Sequence, residues 1–98
     1  MDRDMKIFCL FLASLLCSAE VVITHHQDIE RVKLKGIKTY AMDDRSTRVE
    51  YKDVPNGFYL ITWNAAGKPA CKEFDIDADK IIIHIKGSKA SISKYPNH

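Results

Sequence analysis

The sequence has few cysteines, which excludes the class of small secreted domains held together by disulfides. Only three of its 98 residues are cysteine, and Cys9 and Cys17 fall in an apolar segment near the amino terminus. If that segment is removed, Cys71 is alone and cannot form an internal disulfide. The fold must then be held by packed apolar side chains. Cys71 is expected to be a small buried strand residue, with an intermolecular thiol as the alternative.

The chain also lacks an excess of charge of one sign. It has 15 Lys and Arg against 13 Asp and Glu, a formal net charge of +2. Nucleic-acid-binding domains are usually much more basic, so no nucleic-acid partner is expected. The lysines toward the end of the chain are interpreted as a solvated surface.

No apolar run is long enough to cross a bilayer as a helix. The longest, Ile7–Cys17, has about eleven residues, whereas a spanning helix needs about 20. It follows Arg3 and Lys6 and ends in small residues, the pattern of a cleavable secretory signal. We predict a signal peptide over residues 1–19 with cleavage before Glu20. The predicted location is the secretory pathway, in the endoplasmic reticulum lumen or associated with its membrane, with the extracellular space as the alternative.

Glycine and proline are scarce, at four and three residues, but they mark the strongest local signal. Proline fixes φ for the first corner of a turn, and Asn and Gly tolerate the positive φ values that follow. Asp53, Pro55, Asn56 and Gly57 are therefore predicted to form a tight turn between two strands.

The segment from Gly57 to Trp63 is almost all β-branched or aromatic, which favours a strand at the centre of the domain. Alternation places Tyr59, Ile61 and Trp63 on one face and the intervening residues on the other. Both rows are expected to pack into the core. If one face stays uncovered it forms an apolar patch, a common sign of a partner surface. Tyr59, Ile61 and Trp63 are the candidate residues for that surface.

The rest of the chain consists of short segments separated by turn signals. Alternating or β-branched patterns predict further strands at residues 21–24, 31–34, 37–42, 47–52, 71–76 and 80–86. About seven short strands predict an all-β fold, a small antiparallel β-sandwich over residues 20–86 that is immunoglobulin-like or prealbumin-like. In the last of these strands Ile81, Ile83 and Ile85 should share one face. Residues 87–98 are polar and basic, and predict a loose tail or a last edge strand.

The motifs of common enzyme classes are missing from the sequence, including the Gly-rich phosphate loop and the nucleophile elbow. His25 and His26, with Asp28, Glu30 and His84, are the nearest approach to a metal site. Adjacent residues on a strand point to opposite faces, however, so exposed histidines without an ion are the expectation.

Three aspartates, Asp75, Asp77 and Asp79, alternate along the chain as calcium ligands can. They lack the glycine and the closing glutamate of a calcium loop, so a solvated turn is expected. We therefore predict no catalytic, cofactor-binding or metal-binding residue and no bound small molecule.

The run from Ser46 to Ile61 resembles a motif of prealbumin-like and carboxypeptidase-regulatory-like β-sandwiches, F-x-F-x-D-V/I/L-P-x-G-x-Y-x-V/L. Asp53, Pro55 and Gly57 fall on its fixed positions, as does the tyrosine two residues later. The segment 71–76 stands in the place of the family's F-x-P-V-x-V-D-I strand. Together with the signal segment, the chain resembles the lumenal sandwich of subunit 7 of the endoplasmic reticulum membrane protein complex.

This resemblance implies a non-enzymatic lumenal subunit of a membrane-protein insertion complex. Its partners would be other proteins, the membrane-bound subunits of that complex, and it carries over no catalytic residues. The alternative is a free secreted binding protein or effector that acts on another protein or on a cell surface. The two differ in where the mature protein is found, with membranes or in the medium.

Overall fold

The computed structural model describes residues 18–96. Over this range the chain forms eight strands and no helix. The strands are β1 Ser18–His25, β2 Ile29–Lys35, β3 Thr39–Ala41, β4 Arg48–Pro55, β5 Gly57–Ala65, β6 Lys68–Ile76, β7 Lys80–Lys86 and β8 Lys89–Tyr95. The described part of the chain contains no helix that is long and apolar enough to span a membrane.

The strands form two four-stranded sheets whose inner faces share one core. Sheet 1 has the order β4-β1-β7-β8 and sheet 2 the order β3-β2-β5-β6. This confirms the predicted all-β class and is compatible with a small β-sandwich. One pairing differs from the antiparallel prediction, because β1 and β7 run parallel.

The strand count is eight rather than about seven. The additional strand is β8, which pairs with β7 along its whole length and forms the edge of sheet 1. It lies in the segment predicted to be a loose tail or a last edge strand, and the structure shows the edge strand. Only Ala90 is buried in it. An edge strand with so little buried surface needs few apolar residues, so its sequence looks like a tail.

The amino-terminal prediction falls almost entirely outside the described residues. Of the predicted signal segment 1–19, only Ser18 and Ala19 are described, and they begin β1. Ala19 is buried and pairs with Val54 of β4.

The proline turn connects the two sheets and not two paired strands. β4 ends at Pro55 in sheet 1, Asn56 follows, and β5 begins at Gly57 in sheet 2. Gly57 has a φ of 152°, which L side chains rarely adopt. Asp53, at φ 58°, lies at a bulge where β4 has one more residue than β1. The predicted turn residues therefore lie at the bulge and at the crossover that follows it.

The core confirms one predicted row and corrects another. Ile81, Ile83 and Ile85 are fully buried on one face of β7, as the alternation indicates. The candidate partner surface, Tyr59, Ile61 and Trp63, is also buried, with exposed fractions of 0%, 0% and 2%. These three side chains are the part of the core that β5 supplies, so in this fold they do not form an exposed apolar patch. The expectation that both rows pack into the core is wrong for the outward row, which begins with the exposed Phe58.

Two hydrogen bonds fasten the buried aromatic side chains of β5. The hydroxyl of Tyr59 donates to the carbonyl oxygen of Pro55 at 2.7 Å, which ties β5 to the crossover. The indole Nε1 of Trp63 donates to the carbonyl oxygen of Gly87 at 2.8 Å, which ties sheet 2 to the β7–β8 turn. Polar groups on buried aromatic rings usually need such partners. Burial also raises the pKa of the Tyr59 hydroxyl above its usual value.

The β5–β6 turn holds a residue in an unfavourable conformation. Ala66 and Gly67 form a two-residue turn with φ values of 52° and 79°, between the paired residues Ala65 and Lys68. Positive φ at both positions is the type I′ geometry, which favours Asn-Gly. We expect Ala66→Asn to raise the free energy of unfolding by about 1 kcal/mol, measured by urea denaturation with Trp63 fluorescence.

The matched control is Ser88→Asn in the β7–β8 turn. That turn also has two residues, but only Gly87 has a positive φ, 59°, so asparagine gains nothing at Ser88. An equal gain in both turns, or a loss at Ala66, would contradict the assigned turn geometry.

Candidate binding surface on sheet 2

The outer face of sheet 2 exposes a large aromatic side chain. Phe58 begins the outward row of β5, opposite Asp75 of β6, and is 60% exposed. Ile37, on the β2–β3 turn, is 69% exposed. Its Cδ1 atom would be 3.3 Å from a Cβ atom built on Gly57, the residue before Phe58 in the chain. We call Ile37 and Phe58 the apolar end of sheet 2.

Next to the apolar end, the same sheet carries a shallow groove of about 530 Å³. Side chains of β2 and β6 line its two sides, and residues of β5 lie between them. The lining residues are Arg31, Lys33, Lys35, Thr62, Trp63, Asn64, Pro69, Ala70 and Cys71. Three of them are cationic and none is acidic. We call this feature the basic groove.

The alternation of β2 explains why its lysines face the groove. Val32 and Leu34 are buried, so Lys33 and Lys35 between and after them point outward. In the sheet register Lys33 pairs with Thr62 and Lys35 pairs with Leu60 of β5.

Arg31 reaches the groove through a bulge. The register shifts between Glu30 and Lys33, where β2 has one more residue than β5, and Arg31 has a φ of 56°. A bulge leaves a backbone group without its ladder partner. Here the N–H of Arg31 donates to Oδ1 of Asp44 at 2.9 Å. A carboxylate outside the groove therefore stabilises the conformation of β2 at this point.

The cationic side chains of the basic groove have no carboxylate partner within residues 18–96. Two ion pairs of that range lie elsewhere, between Arg48 and Glu50 at 2.6 Å and between Lys94 and Asp77 at 2.8 Å. In those pairs the cation lowers the pKa of the carboxyl group, mainly through the hydrogen bond it donates. The described residues therefore do not neutralise the positive charge of the groove, which can attract an anionic ligand.

The expectation that Cys71 is buried is wrong. It is an exposed free thiol and lines the basic groove. Phe74 and Ile76 occupy inward positions of β6, and Cys71 is an odd number of residues from both. Alternation therefore places its side chain on the outer face, opposite Thr62. The sequence already contained this signal.

Two histidines that are far apart in the sequence, His26 and His84, lie close together in the fold. His25 is buried, which corrects the expectation of an exposed side chain, and its Nδ1 donates to the carbonyl oxygen of His26 at 2.6 Å. His26 instead approaches His84, with 5.8 Å between ring centroids. His84 Nδ1 lies 2.8 Å from Thr24 Oγ1. Among the described residues no group of three or more His, Cys, Asp or Glu side chains could hold a metal ion.

The aspartates considered as calcium ligands have other surroundings. Asp77 forms its ion pair with Lys94 of β8, and Asp75 is exposed beside Phe58 on the outer face of sheet 2. Asp79 accepts the backbone N–H of Glu20 at its carbonyl oxygen, at 2.9 Å. Asp77 and Asp79 lie in the β6–β7 connection, as expected of a solvated turn, and their contacts tie it to β8 and β1. Asp75 lies within β6, so the turn does not include it.

Comparison of the chain with protein-family models, with curated proteins and with solved structures finds no match in any of the three. The prealbumin-like resemblance stays a prediction from the residues. The functional interpretation therefore depends on the surface itself.

Sequence reasoning missed the basic groove. The outward direction of Lys33 and Lys35 followed from alternation, but their position beside Thr62 and Cys71 follows from the order β2-β5-β6. No local pattern predicts which strands become neighbours across such distances along the chain.

Proposed function

We propose that this protein is a non-enzymatic, protein-binding β-sandwich of the secretory pathway that docks a partner on the outer face of sheet 2. The observation that carries the proposal is the exposed Phe58 on the same outer face as a groove with three unpaired cationic side chains. An aromatic anchor next to polar and charged groups is typical of interface hot spots. Sheet 1 also exposes an aromatic side chain, Tyr95 of β8, but the recess that it lines is smaller, at about 290 Å³, and contains side chains of both charges.

Within the β-sandwich class, we propose the prealbumin-like form. Constant-type immunoglobulin domains have seven strands, four in one sheet and three in the other. Here each sheet has four strands, and the motif from Asp53 to Tyr59 spans the crossover between them. Both observations support the prealbumin-like alternative.

The first candidate role is a lumenal subunit of a membrane-protein insertion complex, similar to subunit 7 of the endoplasmic reticulum membrane protein complex. The predicted signal segment and the proline-turn motif support it. In this role the outer face of sheet 2 contacts a membrane-bound subunit of the complex.

The second candidate role is a free secreted binding protein or effector. The composition of the proposed surface favours it, because Phe58 lies opposite Asp75 and the same face carries the three cationic residues of the basic groove. Permanent complexes usually bury larger and more hydrophobic interfaces. A small, charged surface suits a partner that binds and dissociates.

The proposal is tested by placing a photo-crosslinking amino acid at Phe58 in the protein expressed in its native cell. We expect protein adducts from Phe58 and none from the matched position Tyr95, which is 50% exposed on sheet 1. Adducts in equal yield from both positions, or none from Phe58, would overturn the proposal. Fractionation of the Phe58 adducts separates the two roles, because a lumenal subunit sediments with membranes and a secreted protein is recovered from the medium.

A further inference from the structure

We infer that the basic groove binds an extended, acidic segment of a partner protein. The inference rests on the proposed function and adds the chemistry of the segment that sheet 2 recognises. It specifies one conformation of that segment, extended, and one charge pattern, acidic residues at every second position.

The charge of the groove selects an anionic ligand. Arg31, Lys33 and Lys35 all line it, and none of their side chains forms an ion pair with a carboxylate within residues 18–96. A recess lined by one sign of charge raises the local concentration of the opposite charge. An acidic ligand therefore gains ion pairs without first breaking any that exist within the described domain.

The spacing of the lysines selects an extended ligand. Lys33 and Lys35 are two positions apart on a strand, which separates their Cα atoms by about 6.5 Å. An extended segment with acidic residues at every second position repeats at the same distance and points those residues to one side. In a helix, residues two apart do not share a face, so a helical ligand with this charge pattern does not match the row.

The polar residues between the lysines and β6 suit a peptide backbone. Thr62 and Asn64 are partly exposed on β5 and line the groove between β2 and β6. A hydroxyl and a carboxamide can both donate and accept hydrogen bonds. An extended peptide offers alternating N–H and C=O groups, whereas a simple anion offers only acceptors.

The test is an isothermal titration calorimetry experiment in which the mature protein is titrated with a synthetic peptide of five Glu-Thr repeats. The matched peptide has the same composition with its five glutamates in one block. We expect saturable binding of the alternating peptide that weakens as salt is added, and affinity about tenfold lower for the block peptide.

The protein variants separate the groove from general attraction. Lys33→Glu combined with Lys35→Glu should lower affinity for the alternating peptide by at least about tenfold. The control pair Lys52→Glu with Lys86→Glu makes the same change in net charge on exposed lysines of sheet 1, and should change affinity by less than about twofold. Both pairs should keep the far-ultraviolet spectrum of the parent.

Three outcomes would overturn the inference. The first is equal binding of the two peptides, and the second is an equal loss in the two variant pairs. The third is that inorganic phosphate or anionic phosphatidylserine vesicles bind through Lys33 and Lys35 while the peptide does not. Each leaves the crosslinking result at Phe58 intact, so failure of this inference is distinguishable from failure of the proposed function.

Discussion

Replacing Ile83 by alanine should lower the free energy of unfolding by about 2–5 kcal/mol. Ile83 is fully buried at the centre of β7. It pairs with Ile23 of β1 on one side and Ile92 of β8 on the other. Alanine leaves a cavity that three packed strands cannot close. Domains are typically stable by only about 5–15 kcal/mol, so the variant should be close to unfolding at ordinary temperature.

The adjacent residue provides the control. Ile82 points to the outer face of sheet 1 and is partly exposed, so Ile82→Ala should cost about 1 kcal/mol or less. Urea denaturation followed by the fluorescence of the buried Trp63 measures both variants. A larger loss at Ile82 than at Ile83 would mean that β7 is shifted by one residue, since such a shift exchanges the two faces of a strand.

Gly36→Ala is the second substitution with a large expected effect. A Cβ atom at Gly36 would overlap the ring of Tyr59, with Cγ at 2.9 Å and two ring carbons closer still. The ring is fully buried, and its hydroxyl is fixed by the bond to Pro55, so it cannot move aside freely. Overpacking of this kind costs about 1–3 kcal/mol. The change in urea midpoint measures it.

A double-mutant cycle identifies the cause of that loss. In a Tyr59→Leu background the ring is absent, so the added methyl group at Gly36 should cost less than it does in the parent. The difference between the two costs is the coupling between the positions. An undiminished cost in the Tyr59→Leu background would mean that glycine is needed at this position for another reason.

Much of the fold could be predicted from local pattern. The bounds of β7 agree with the predicted segment 80–86, because three isoleucines at alternating positions leave no other arrangement. β8 was ambiguous because an edge strand buries little. The parallel pairing of β1 with β7 could not be read from sequence, since it joins segments about 60 residues apart and depends on how both sheets assemble.

The binding surface was harder to predict for a similar reason. Alternation shows that Tyr59, Ile61 and Trp63 share a face, but it does not show which face is covered. The structure shows that sheet 1 covers the row with Tyr59, whose ring occupies the space left by Gly36. Because the row with Tyr59 faces inward, Phe58 and the basic groove lie on the outer face of sheet 2. The outward direction of Cys71, in contrast, follows from its odd spacing to Phe74 and was available from the sequence.

The reactivity of Cys71 with a maleimide tests the central claim, that the outer face of sheet 2 is open in the free protein and covered by its partner. Cys71 is exposed within the basic groove. The account predicts that a maleimide labels Cys71 rapidly in the purified, folded protein. In native secretory membranes or in the partner complex, Cys71 should be strongly protected from labelling. The double variant Lys33→Glu with Lys35→Glu should remove this protection. Slow labelling of the free folded protein, or unprotected Cys71 in the complex that Phe58 crosslinking identifies, would contradict it.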